Sequence, residues 1–318
     1  MRRSSSSKGS GLTRAEFMKV VLGSVATGAV LGIGRPFLWA AESPLLTRKI
    51  PKSGEVLPVV GLGTAETFGV ADAPEAYNAR KKVLKALLEG GGKIVDTSPT
   101  YASAESVVGR ALQELGLRDK AFIATKISIS GEQAGIAQHQ KSVKDLRTTK
   151  IDLLQVHNLR DTEAHLKTLR RLKEQGQIRY LGVTHFQASS YGRLAEILRR
   201  EPLDFVQLNY SLEVREAEKV LLPLAKDKGV AVLVNLPFGR ASLFRKVRGK
   251  TLPEWAADFD AKSWGQIFLK FILANDAVTA VIPGTTNPVH MVDNLEAGRG
   301  RLPDAAQIRR ILDYLAGV

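Results

Sequence analysis

The chain is predicted to fold as a single α/β domain, a (β/α)8 TIM barrel. Three observations carry that expectation. Eight short apolar runs alternate with helical patterns, three of those runs end on an ionisable residue, and 318 residues suit one αβ barrel. A doubly wound sheet competes with it, but that fold usually marks its nucleotide site with GxGxxG. The stretch Gly61 to Glu66, GLGTAE, lacks the last glycine.

The elements follow in order. Thr47 to Thr64 alternates around a Ser53-Gly54 turn and reads as a hairpin leading into a first barrel strand, Val59 to Leu62. A helix from Pro74 to Glu89 groups Val83, Leu84, Leu87 and Leu88 on one side and stops at Gly90-Gly91-Gly92. Strand Ile94 to Asp96 then precedes helix Ala104 to Leu115, strand Phe122 to Lys126 precedes Ala134 to Leu146, and strand Ile151 to His157 precedes Glu163 to Gln175. Further on, Tyr180 to Val183 precedes Ser190 to Arg200, Phe205 to Asn209 precedes Glu216 to Lys228, and Val230 to Val234 precedes Ser263 to Ala274. Ala280 to Ile282 precedes Pro288 to Ala297, and Asp304 to Ala316 is an extra C-terminal helix.

Residues 1–41 are a different kind of sequence. Arg2, Arg3, Lys8, Arg14 and Lys19 surround a Ser-rich start, and Val20 to Gly34 then runs without a charge. A run of about 15 is short for a membrane span, which needs about 20, but suits the apolar region of a signal peptide. The segment is therefore expected to direct export to the periplasm, touching the membrane if it stays uncleaved; a cytoplasmic extension is the alternative. Residues 42–318 are expected to form the barrel. With Arg35, the leader's six cations against Glu16 carry +5 of the formal +14, leaving +9 on the body.

That charge favours anionic partners in general and selects none. The absence of cysteine excludes disulfides, thiolate catalysis and cysteine-bound metal. His139, His165, His185 and His290 have no metal-ligand spacing, and the first two, on helices, are expected to face solvent. Arg240 to Lys250, with Arg245, Lys246, Arg248 and Lys250 near Phe244 and Trp255, reads as a basic loop, either closing over phosphates or simply solvated. No base-stacking platform accompanies it, so no nucleic-acid partner is expected.

The chemistry concentrates where strands end. Asp96, Lys126 and His157 close three successive strands, and Tyr101 lies five residues past Asp96. Neighbouring strands about 4.8 Å apart would gather these four side chains on one rim. That set suits proton transfer to a carbonyl oxygen coupled to hydride delivery. Tyr101 would be the acid, and Lys126 would lower its pKa from about 10. Asp96 would anchor Lys126, and a neutral His157 would orient the substrate oxygen.

At these residues the sequence resembles the aldo-keto reductase superfamily, whose Asp, Tyr, Lys and His tetrad matches Asp96, Tyr101, Lys126 and His157 in order. GLGT at Gly61 to Thr64, QLNYS at Gln207 to Ser211 and IPGTTNPVHMVDN at Ile282 to Asn294 add to the resemblance, and TRAEFMK at Thr13 to Lys19 resembles a twin-arginine export motif with Ala15 in place of the second arginine. The family resemblance implies an NAD(P)H-dependent oxidoreductase that interconverts small carbonyls and alcohols, and a hairpin plugging the barrel bottom. A barrel that binds the nucleotide as a sensor, with negligible turnover, is the alternative. The family resemblance implies nicotinamide contacts from Thr184, His185 and Gln207, pyrophosphate contacts near Gly239 and Ser242, and adenosine-phosphate contacts from Gly284, Thr285, Thr286 and Asn294. Gly284 and His290 stand where the family often has a lysine and an arginine for the 2′-phosphate, and Asn235 where it often has a stacking tyrosine. NADPH is the expected cofactor, with NADH the alternative, and no metal.

Overall fold

The structure is a computed structural model and describes residues 43–318. The expected leader lies outside the described residues. A two-stranded antiparallel hairpin comes first, β1 (Thr47–Lys49) and β2 (Val56–Pro58), turned at Gly54 with φ 75°. Eight parallel strands follow: β3 (Leu62–Gly63), β4 (Ile94–Asp96), β5 (Phe122–Ile127), β6 (Ile151–His157), β7 (Ile178–His185), β8 (Phe205–Asn209), β9 (Ala231–Asn235) and β10 (Ala280–Val281). They pair in chain order from β3 to β10. A Val60–Val281 bridge joins the two ends, helped by Gly61 N donating to Val281 O at 2.8 Å and Val281 N donating to Val59 O at 2.9 Å. The ring of strands is thereby closed, as expected of a (β/α)8 barrel.

The helices are α1 (Pro74–Glu89), α2 (Ala104–Leu115), α3 (Glu132–Asp145), α4 (Thr162–Glu174), α5 (Tyr191–Arg200), α6 (Leu221–Asp227), α7 (Ser242–Lys246), α8 (Trp264–Leu273), α9 (Pro288–Glu296) and α10 (Ala305–Ala316). One buried cluster, including Val83, Leu87, Val108, Leu154, Leu169 and Leu194, joins helices to the outside of the sheet. A second fills the lower barrel with Ile94, Phe122, Leu153, Tyr180, Phe205 and Leu233, and the hairpin's Ile50 and Leu57 belong to it. The hairpin thus caps the amino ends of the strands, as the resemblance implied. No helix among the described residues is long and apolar enough to cross a membrane.

Several expectations are corrected. The first strand begins at Leu62, because Val60 makes only a bridge. The helix expected over Glu216 to Lys228 is a 3-10 turn at Glu216–Glu218 and then α6; Pro223 has no N–H to donate and suits only a helix's first turn. The basic stretch after Arg240 contains α7, whose Leu243, with Val247 just beyond it, is buried against a cluster including Phe259 and Phe268. His139 and His165 do not face solvent: they are 2% and 0% exposed.

Candidate functional site

Register brings the polar strand ends together at the carboxyl rim. Asp96 lies opposite Ala124, so Lys126 rises two residues further on β5, opposite Gln155 of β6. His157 pairs with Thr184 of β7, and Thr184 with Gln207 of β8. Alternation along each strand sends one set of side chains into the barrel. Three non-glycine residues after His157, Asn158, Leu159 and Asp161, take φ between 49° and 53°. This left-handed turn reverses the chain immediately beyond the imidazole.

The Lys126 ammonium is 1% exposed and donates to Asp96 Oδ1 and to the Thr97 carbonyl, both at 2.7 Å. Asp96 Oδ2 accepts from Gln207 Nε2 at 2.8 Å and from Gln155 Nε2 at 3.3 Å. Gln207 Oε1 accepts in turn from Asn235 Nδ2 at 3.1 Å and Thr184 Oγ1 at 3.3 Å. A buried polar network therefore crosses the barrel interior from β4 to β9. Burial opposes the charge on Lys126, but Asp96 and Tyr101 outweigh it and hold its pKa above the ordinary value.

Tyr101 and His157 complete the cluster. Lys126 Nζ lies 5.0 Å from the centre of the Tyr101 ring, and the Tyr101 and His157 rings meet edge to face at 6.0 Å. Burial pushes the Tyr101 phenol above its ordinary pKa; Lys126 pulls it down without reversing the shift. The lowering expected from the sequence is thus outweighed by desolvation. His157 is depressed to about 3, chiefly by burial and then by Lys126, so its imidazole is neutral.

The other expected residues divide. Thr184 and Gln207 join the Asp96 network. His185 turns away, accepting from Gln187 N at 3.1 Å and meeting Ser190 Oγ at 3.2 Å, with its ring stacked on Phe186. The Ser242 hydroxyl donates to Glu213 and lies 2.7 Å from the Gly239 carbonyl. Glu213 also covers Gly239, where a Cβ would come within 2.5 Å of its Oε2. Gly284 backs onto β3, and a Cβ there would lie 3.3 Å from the Gly63 carbonyl. Thr285 is buried and accepts from Asn287 N at 3.1 Å, Thr286 is exposed, and Asn294 is buried within α9.

Gln155, Ser98 and Ser128 escaped the sequence reading. The signal for Gln155 was present, an amide in the apolar run LLQVH two residues before His157 and therefore on the same face. Among the described residues no group of histidines and acids could hold a metal.

Fold and rim together define a parallel (β/α)8 barrel with a buried cluster of ionisable side chains at its carboxyl face. The aldo/keto reductase family model matches residues 59–313. The chain belongs to the aldo/keto reductase family, whose members are oxidoreductases. It is 30% identical over 190 residues to the aldo-keto reductase YhdN of Bacillus subtilis, a match covering 55% of this chain and only 56% of that relative. It is 26% identical to the aldo-keto reductase str7 of Strobilurus tenacellus, covering 85% of this chain and 93% of that one. Among solved structures, an aldo-keto reductase from Klebsiella pneumoniae in complex with NADPH superposes with a TM-score of 0.71 at 24% identity, over 86% of this chain and 95% of its own. The holo form of AKR11C1 from Bacillus halodurans gives 0.70 at 22%, over 86% and 96%.

Proposed function

We propose that the protein reduces an aldehyde or ketone with a nicotinamide cofactor, reversibly, and that Tyr101 supplies the proton. The observation that carries this reading is the buried Lys126 ammonium, fixed by Asp96 and Thr97 beneath the Tyr101 ring beside a neutral imidazole. A structural ion pair would need neither the phenol nor the imidazole.

The rim also fits a carboxamide. Asn235 Oδ1 is buried without a hydrogen-bond partner, next to Gln207 and Thr184. An amide N–H from a ligand would satisfy it. Asn235, Gln207 and Thr184 would hold the nicotinamide, which when bound supplies the hydride. The chain's own work is proton management. His157 donates a hydrogen bond to the substrate oxygen and sets its position. As negative charge grows on that oxygen, Tyr101 gives up its proton, and Lys126 stabilises the phenolate left behind. A phenol held above its ordinary pKa remains protonated at neutral pH and ready to donate. Because an alkoxide is a far stronger base than a phenolate, the raised pKa does not block the transfer.

The cofactor's phosphates have less provision. The Ser242 hydroxyl is engaged by Glu213, and the Gly63 backbone presses on Gly284, where a 2′-phosphate lysine would otherwise stand. We take NADPH as the cofactor and keep NADH as a competitor in the test. The leader at 1–41 is read as an export signal; fractionation of cells making the full chain checks it, and a purely cytosolic, uncleaved product would overturn it.

The deciding experiment follows consumption of NADPH and of NADH by the full chain over a panel of aldehydes and ketones, with Tyr101→Phe alongside. Turnover is expected to fall by about a hundredfold or more in the variant while cofactor binding persists. A folded wild-type protein that binds nucleotide and turns over no carbonyl would instead be a nucleotide sensor.

A further inference from the structure

We propose that Ser128 is a positioning residue that holds His157 as the tautomer protonated on Nε2, so that the ring presents a donor to the rim. The inference rests on the reductase reading for its kinetic consequence but not for its chemistry. Ser128 follows β5 by one residue, and its Oγ lies 2.6 Å from His157 Nδ1. His157 Nε2 has no hydrogen-bond partner among the described residues. A neutral imidazole carries one N–H, and the hydrogen bond at one nitrogen determines what the other can do.

A hydroxyl can donate or accept, so direction must come from its surroundings. Ser98 Oγ accepts from the Thr100 backbone N–H at 3.3 Å, and a backbone N–H can only donate. Ser98 Oγ is also 2.9 Å from Thr100 Oγ1, 3.5 Å from Ser128 Oγ and 3.4 Å from His157 Nδ1. A hydroxyl has two lone pairs; when the Thr100 hydroxyl donates to Ser98 alongside the Thr100 N–H, both are filled, the Ser98 proton is left for Ser128 Oγ or Nδ1, and Ser128 gives its own proton to Nδ1. In that arrangement the donors run from Thr100 to the ring and leave the ring proton on Nε2. The opposite tautomer would offer the substrate oxygen a lone pair.

The loop that carries Ser128 is held at three points. Its backbone N–H donates to Gln138 Oε1 at 2.6 Å, and Gly131 N donates to Asp161 Oδ2 at 2.8 Å. The buried His165 reaches the Ile129 carbonyl through Nε2 at 2.5 Å. Since a carbonyl only accepts, His165 must donate there, and its Nδ1 is left buried without a partner. The Nε2 bond to Ile129 is the contact by which His165 fixes the loop carrying Ser128.

The test is long-range proton–nitrogen correlation on protein labelled with 15N-histidine, one signal being assigned to His157 by its loss in His157→Gln. Wild type is expected to show an unprotonated Nδ1 and a protonated Nε2. Ser128→Ala should shift the ring toward a mixture of tautomers, and Ser128→Thr, which keeps the hydroxyl, should restore the wild-type pattern. In parallel, kcat with a carbonyl should fall about tenfold to a hundredfold in Ser128→Ala, with cofactor affinity unchanged and recovery in Ser128→Thr. A wild-type ring protonated on Nδ1, or an Nε2–H pattern that survives Ser128→Ala, overturns the proposal. If wild type turns over no carbonyl, the reductase reading fails, while the tautomer spectra still decide the role of Ser128.

Discussion

At the residue scale the cluster works by matching desolvation against charge. Lys126 keeps its proton in a buried position because two partners oppose burial, whereas His157, without an acid beside it, loses its own. This difference sets a pH dependence. An unfolded imidazole takes up a proton near its ordinary 6.5, and the folded one only near about 3. The unfolded state therefore binds more protons between those values, and stability falls as pH is lowered across that window. Removing the imidazole should flatten that limb: between pH 6.5 and 5, thermal unfolding of His157→Gln should lose about 1–2 kcal/mol less than wild type. Equal losses in the two proteins would show that the ring titrates normally. Asp96, Lys126 and His157 were legible in sequence, because each stands where an apolar run stops, and Tyr101 by its place five residues past Asp96. Ser98 and Ser128 were not, since their part depends on which strand lies alongside and how far it is shifted, and Gln155, though its place in the run LLQVH hinted at it, shows its partner only through that pairing.

Elements show where periodicity misleads. His139 and His165 sit among polar neighbours on α3 and α4, so a solvent face was the natural reading; both are buried. Helix-to-helix contacts decide that, and one sequence does not contain them. Gly109 makes the same point within α2. Alanine is the better helix former by about 1 kcal/mol, so an isolated helix would gain from the exchange. Here a Cβ would come within 2.3 Å of the Asp145 carbonyl oxygen and 2.7 Å of the Leu146 Cα, both backbone atoms that cannot swing aside. Gly109→Ala should thus destabilise the protein, by about 1–3 kcal/mol in denaturant unfolding. An unchanged or higher midpoint would mean that α2 and the α3 terminus separate at little cost. The count and order of strands, by contrast, were readable from alternation of short apolar runs with helical stretches, with limits shifting by up to three residues, as at Val59 against Leu62.

At the scale of the whole molecule, the barrel is closed twice, around its circumference by the Val60–Val281 bridge and from below by the hairpin. Leu57, 1% exposed, packs in the cluster that holds Phe122, Tyr180 and Phe205. Leu57→Ala should lower stability by about 2–5 kcal/mol while leaving cofactor affinity at the opposite rim intact, checked by unfolding and by nucleotide titration. A variant as stable as wild type would mean that the hairpin merely rests on the barrel.

The placement of that hairpin also orders events in time. Its residues are among the earliest described residues to leave the ribosome, yet their seat is built from strands made up to β10, and next to it Leu46 N donates at 2.7 Å to the carbonyl of Gly298, near the other end of the chain. Contacts so distant along the chain are slow to form. The plug has to wait, unpaired with its seat, until nearly all of the chain has been synthesised, so during translation its apolar Ile50 and Leu57 stay open to a chaperone until β10 is made.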